Sequence, residues 1–134
     1  MILLRSATSN LRSTLYNKLD MEKNLSVSVV IPSWNSLDQL KQNLPSVFDA
    51  ARQVDAEIII VDDYSQLDSS LSFLESLGSK IIVVKNQSNL GFGATVNRGV
   101  EMSSGDLVVL LNTDVSPEFD CFTKAREYFV DDAV

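Results

Sequence analysis

The chain has 134 residues, 45% of them hydrophobic and 22% charged, with 11 Lys and Arg against 18 Asp and Glu for a net charge of −7. That is the length of one ordinary domain, apolar enough for a real core and too apolar for a disordered chain. An acidic balance argues against a nucleic-acid partner, and the absence of His excludes Ser-His-Asp, Cys-His and His-ligated zinc chemistry.

Residues 1–25 read as an N-terminal extension. Leu11, Leu15 and Leu19 recur every four residues, so residues 10–19 fit a short amphipathic helix with Arg12 and Lys18 outside. Arg5, Arg12, Lys18 and Lys23 against Asp20 and Glu22 leave this stretch at +2, and the remainder of the chain at −9. A basic amphipathic lead of this kind could touch an anionic membrane surface through residues 1–20. A poorly ordered extension is the plainer alternative.

From Val27 the pattern becomes regular. Val27–Pro32, Glu57–Val61, Lys80–Val84 and Asp106–Leu111 are short, continuously apolar runs, as strands buried on both faces are. None approaches the roughly 18 apolar residues of a membrane helix. Helical stretches lie between them at Leu37–Arg52, Ser65–Leu77 and Gly93–Ser103. Leu37, Leu40, Leu44, Val47 and Phe48 share one helical face, and Pro45 is expected to kink that helix or split off its first turn. Gly78 and Gly105 fall just past helix ends, where a glycine can take positive φ. A last helix is expected to open at Ser116-Pro117-Glu118 and run towards Val130, with Cys121, the one cysteine, as a small core residue. A cysteine that cannot pair within the chain fits a reducing compartment. Residues 26–134 thus form an α/β domain: a mostly parallel sheet with helices on both faces.

In such sheets ligands bind beyond the carboxyl ends of the strands. Four polar clusters fall there: Pro32-Ser33-Trp34-Asn35, Asp62-Asp63-Tyr64-Ser65, Asn86–Gly99 and Asn112-Thr113-Asp114. Each alone reads as turn and cap chemistry. Together they carry three carboxylates, which repel one another unless a cation or hydrogen-bond donors compensate.

In their order and spacing, from about Val27 to Glu118, these stretches resemble the family 2 nucleotide-sugar glycosyltransferases, an inverting group with a Rossmann-like GT-A core. The forms Asn89-Leu-Gly-Phe-Gly93 and Leu110-Leu-Asn-Thr-Asp114 are most similar to the bacterial rhamnosyltransferase-like branch. The resemblance implies that Pro32, Ser33, Trp34 and Asn35 surround the base and ribose. It implies that Asp63 accepts the imide N–H of uracil or thymine, with Asp62 supporting the loop. A carboxylate suits that task because it only accepts, which rejects cytosine. Replacing Asp63 is expected to leave the fold intact. The glycine-bearing stretch Gly91–Gly99, with Asn89, Phe92, Gly93, Asn97 and Arg98, is expected along the ribose and diphosphate, and Thr113 near them.

Members of the family place Asp-x-Asp where this chain has Asn112-Thr113-Asp114. Asp114 is therefore the candidate ligand for Mg²⁺ or Mn²⁺, with Asn112 second. One carboxylate can suffice when the nucleotide supplies further oxygens. The family's catalytic base would lie past residue 134, so the chain reads as the donor-binding part of a longer enzyme, without transfer activity of its own. The implied reaction moves a hexosyl-type sugar from a UDP- or dTDP-sugar to a glycan or lipid-linked acceptor, in cell-surface polysaccharide synthesis. The implied setting is the cytoplasm or the cytoplasmic face of the membrane. Two alternatives belong to other classes: a phospho-acceptor receiver domain, which Asp62-Asp63 and Asp114 mimic in order, and a non-catalytic nucleotide-binding fragment. A dinucleotide-binding loop fits less well, because position 96 is Val where its third glycine belongs.

Overall fold

A computed structural model describes residues 2–4 and 25–131 of the chain. Its strands are β1 (Ile2–Leu4), β2 (Val27–Ser33), β3 (Glu57–Asp62), β4 (Ile82–Lys85) and β5 (Leu107–Leu110). Its helices are α1 (Leu37–Arg52), α2 (Ser70–Ser76), α3 (Phe92–Met102) and α4 (Cys121–Asp131). The strand order is β1-β5-β2-β3-β4, with β5, β2, β3 and β4 parallel and β1 antiparallel on the β5 edge. Strand order reverses between β5 and β2, so a crevice is expected above their carboxyl ends.

The continuous apolar runs have a simple cause. Side chains alternate across a strand, and both faces of the sheet are covered at β2, β3 and β5. The run of β4, also expected to be buried on both faces, is instead an edge strand with Ile82 exposed. On one face Val29, Ile31, Ile58, Ile60 and Val109 pack with Leu40, Leu44 and Val47 of α1, Leu74 of α2 and Phe122 of α4. On the other, Val30, Ile59, Val61, Val84 and Val108 meet Val96 and Val100 of α3. Helix α3 sits close to the sheet because residue 99 is glycine: a Cβ there would lie 2.4 Å from Val30 Cγ1.

Several boundaries differ from the sequence expectation. Helix α1 continues through Pro45, whose ring sits on the exposed side, where water can satisfy the carbonyl it strands. Residues 65–69 stay out of α2 because side chains claim their backbone. Asp62 takes the amide of Ser65, and Asn35 Oδ1 takes those of Gln66 and Leu67. A 3-10 turn at Gly78–Lys80 delays β4 to Ile82. Helix α4 begins at Cys121, not at Ser116-Pro117, and its first turn closes from Lys124 N–H onto the Asp120 carbonyl at 2.9 Å.

Gly78 has the expected positive φ, +59°. Gly105 does not; it is required for space, since a Cβ would lie 2.5 Å from Ser28 Oγ and 2.7 Å from Ser28 N. Strand β1 arises from the N-terminal extension, pairing Ile2 with Val109 and Leu4 with Leu107. The helix expected over residues 10–19 lies outside the described residues.

Candidate functional site

The parallel ladders continue past the strand ends into the loops. Asp63 N–H donates to the Ser33 carbonyl and Asn86 N–H to the Asp62 carbonyl, each at 2.8 Å. Three loops are thereby brought side by side: the β2–α1, β3–α2 and β4–α3 connections. They enclose a cleft of about 760 Å³.

Side chains then lace these loops together. Asn35 N–H donates to Ser65 Oγ at 2.9 Å while Asn35 Oδ1 accepts the amides of Gln66 and Leu67, joining the first loop to the second in both directions. Asp68 serves two helix starts at once: it accepts Leu37 N–H at the head of α1 and Ser70 N–H at the head of α2. A carboxylate is favoured there by the positive ends of both helices. Burial pushes the Asp68 carboxyl up, but the bonds from the Ser70 side chain and the Leu37 and Ser70 amides prevail and hold it below the ordinary aspartate value.

Asp63 joins the second loop to the third. Its residue is 5% exposed. Oδ1 accepts Asn86 Nδ2 and Leu90 N–H, both at 2.8 Å, and Oδ2 accepts Gly91 N–H at 2.9 Å. Burial raises its pKa, yet the bonds from Asn86, Leu90, Gly91 and Thr95 outweigh burial and hold the carboxyl below the usual range. The group is therefore an anion, fixed in orientation, on the wall of the cleft. Gly91 takes φ +85°, a conformation side chains avoid, and caps α3 without a side-chain bond. Asn35 and Tyr64 also hold positive φ, +45° and +64°, two of the three non-glycine residues to do so among those described; the third, Asp55, lies away from the cleft lining.

The rim is aromatic. Trp34, Tyr64 and Phe92 expose 54%, 44% and 61% of their surface, which is unusual for such large apolar residues. At the floor, the Ser33 hydroxyl is buried and has no hydrogen-bond partner among the described residues. An orphaned hydroxyl at that depth is costly unless something supplies its partner.

Of the residues singled out from the sequence, Pro32, Ser33, Trp34, Asn35, Asp63, Asn89, Gly91 and Phe92 line the cleft. Asp62 does not; it is buried beneath the loop and accepts both the N–H and the hydroxyl of Ser65. Gly93 lies exposed in the first turn of α3, and Asn97 lies further along that helix. Arg98 is bound internally, Nη1 donating to Asn86 Oδ1 at 2.6 Å and to the Lys85 carbonyl at 2.9 Å. Asn112, Thr113 and Asp114 follow β5 and are not part of the cleft lining; Thr113 is tied to α1 through its carbonyl, which accepts Asn43 Nδ2 at 2.9 Å. Glycine 99 serves helix–sheet packing, away from the cleft lining.

The expected crowding of three carboxylates does not occur. Asp62 and Asp63 each accept hydrogen bonds from donors of their own, and Asp114 is exposed and outside the cleft lining. Among the described residues no group of three or more Cys, Asp or Glu could hold a metal ion. Gln66 and Leu67 line the cleft from outside the four clusters, and Tyr64 and Thr95, which lie within them, line it without having been given a contact of their own. Asp68 and Asn86 were missed as organisers, because each acts on backbone brought near only by the fold. Among the described residues no helix is long and apolar enough to cross a membrane.

The sequence of residues 28–134 matches the family described as Glycosyl transferase family 2. Over 94 residues the chain is 36% identical to an undecaprenyl-phosphate 4-deoxy-4-formamido-L-arabinose transferase of Sodalis glossinidius, covering 66% of this chain and 29% of that protein. Among solved structures it superposes on S. aureus TarS 1-349 in complex with UDP-GlcNAc with a TM-score of 0.70 at 24% identity, covering 81% of this chain and 32% of that one. It likewise superposes on the mannosyltransferase PcManGT from Pyrobaculum calidifontis in complex with GDP-Man and Mn²⁺, with a TM-score of 0.71 at 19% identity over 79% of this chain and 32% of that one. At those identities the likeness establishes a shared GT-A fold. The chain spans 29% of the length of the Sodalis relative.

Proposed function

The chain belongs to glycosyltransferase family 2, and from that premise we propose that residues 26–134 bind the nucleotide of a sugar donor in the cleft at the carboxyl edge of the sheet. The observation that carries this reading is Asp63: a buried, ionised carboxylate locked by four groups on the wall of a cleft with an aromatic rim. An acceptor-only group fits the imide N–H of uracil or thymine and repels the bare ring nitrogen of cytosine. Trp34, Tyr64 and Phe92 offer faces on which a base can stack, a contact worth about 1–3 kcal/mol.

The diphosphate belongs at the start of α3. First-turn amides of a helix have no intrahelical acceptor, and Gly91 and Gly93 leave room for phosphate oxygens to approach. Family membership and the Mn²⁺-bound fold neighbour favour a divalent cation beside the diphosphate, at the loop that follows β5 and outside the cleft lining. Asp114 would be its protein ligand, with Asn112 beside it; a hard oxygen donor suits Mg²⁺ or Mn²⁺, and one carboxylate fits a site completed by phosphate oxygens and water. When bound, the cation would offset charge on the departing nucleoside diphosphate. No described residue is assigned as the base; Asp120, for one, is paired with Lys124 at 2.8 Å.

The whole protein would then transfer a hexosyl-type sugar from a UDP- or dTDP-sugar to a glycan or lipid-linked acceptor for surface polysaccharide, with residues 1–20 as a peripheral membrane contact at the cytoplasmic face. A receiver domain needs its acids gathered around one cation, and these acids are separated. Titration calorimetry with UDP, dTDP, CDP, ADP and GDP in Mg²⁺ tests the reading. Preference for UDP or dTDP supports it; equal binding of CDP, or preference for a purine nucleotide, contradicts it.

A further inference from the structure

Asn86 is 4% exposed and uses its whole side chain. Its Nδ2 donates to Asp63 Oδ1 at 2.8 Å and to Thr95 Oγ1 at 3.0 Å, while its Oδ1 accepts Arg98 Nη1 at 2.6 Å. A guanidinium can only donate, so the amide end facing Arg98 must be the oxygen. The end facing Asp63 is then necessarily the NH₂. Arg98 is itself held by the Lys85 carbonyl, so the amide has one orientation.

We infer that Arg98 and Asn86 are positioning residues that, acting through one another, keep Asp63 an acceptor and thereby set the base selectivity of the cleft. This rests on the reading of Asp63 as the base-recognising group. Without Arg98 the Asn86 oxygen loses its donor, and the amide is no longer fixed with its NH₂ on Asp63. Looser donation from Asn86 stabilises the Asp63 anion less, so Asp63 takes up a proton more readily. A protonated Asp63 donates where it formerly accepted, and so tolerates the ring nitrogen of cytosine. The other ionisable groups about Asp63 leave this role to Arg98. On its own strand Asp62 is bonded to Ser65; on β4 Lys85 pairs with Glu75; Tyr64 follows in the chain with an exposed ring.

The test is calorimetric titration of the chain with UDP and CDP in Mg²⁺ between pH 4 and 8, for wild type, Arg98→Met and Arg98→Lys. Arg98→Met should lower the UDP-to-CDP affinity ratio by about ten-fold or more, the scale of one charged hydrogen bond. It should also move the acid loss of UDP affinity to higher pH, because its Asp63 protonates sooner. Arg98→Lys, which still donates to Asn86 Oδ1, should restore much of both. Circular dichroism of each variant guards against loss of fold, and Arg98→Lys keeps the test open if Arg98→Met unfolds. A role in packing alone would weaken UDP and CDP equally and leave the pH profile in place, which would overturn the inference. A wild type without preference for UDP would instead overturn the reading of Asp63 beneath it.

Discussion

Asp63 accepts the amide of Gly91 at 2.9 Å across 28 residues of chain, so one carboxylate holds the end of β3 against the start of α3. The group proposed to recognise the base is thus also a structural tie. The sequence alone suggested that Asp63 could be replaced without loss of fold, as expected for a loop acid at a strand end. Its burial and its bonds to Asn86, Leu90 and Gly91 reverse that expectation. Asp63→Ala takes the acceptor from one buried donor, Asn86 Nδ2, and from two part-buried ones, the Leu90 and Gly91 amides, at roughly 1–3 kcal/mol for a buried unsatisfied group and less for the others. It should lower the urea midpoint measurably, as well as weakening UDP at least about ten-fold. An unchanged midpoint would show that these bonds do not hold the loops.

Acid should loosen the same region. Asp63 and Asp68 both titrate below the ordinary aspartate value of 3.8 when folded. A depressed folded pKa adds stability that is fully present above the unfolded value and disappears as pH falls through the folded one. Urea midpoints should therefore be level towards neutral pH and fall below about pH 4. Asp68→Asn should be less stable than wild type at pH 7, with a shallower acid limb. An acid limb of unchanged steepness would show that Asp68 contributes none of it.

The two glycines of α3 should respond in opposite directions. Gly99→Ala drives a methyl against Val30 and Val61, at 2.4 and 3.1 Å before relaxation, and should destabilise by about 1–3 kcal/mol. Gly93→Ala meets nothing within 4 Å and should stabilise by about 0.4–1 kcal/mol by restricting the unfolded chain. If Gly93 also lies against the diphosphate, this stabilised variant should bind UDP more weakly than wild type. Equal or tighter binding would remove Gly93 from the phosphate contacts.

The parallel sheet was legible because β2 and β5 are buried on both faces and their composition shows it. The switch point between β5 and β2 followed, but the cleft lies to one side of it, over β2, β3 and β4, and the loop after β5 is outside its lining. Less visible was everything that depends on side chains meeting across loops. Nothing local in Asp68-Ser69-Ser70 says that the acid will cap α1 as well as α2, and nothing in Asn86 reveals a partner on either side. The shortened α2 has the same origin: Asn35, about 30 residues away, occupies amides that a helix would otherwise use. Gly105 carried a turn signal, yet its role is close approach to Ser28, visible only once β2 and β5 are neighbours. Strand β1 escaped notice because Ile2–Leu4 is three residues long and gains its meaning from the β5 edge.

A nucleoside diphosphate in this cleft and a divalent cation beside it at the loop after β5 should bind together, each completing the other's coordination. The most direct measure of this is the melting temperature of the chain with UDP, with Mn²⁺, with both and with neither. Ligands that bind only the folded state raise that temperature. The rise with both should exceed the sum of the separate rises, and that excess should be lost in Asp114→Asn and kept in Asp120→Asn. A shift by UDP of the same size with and without Mn²⁺ would contradict it.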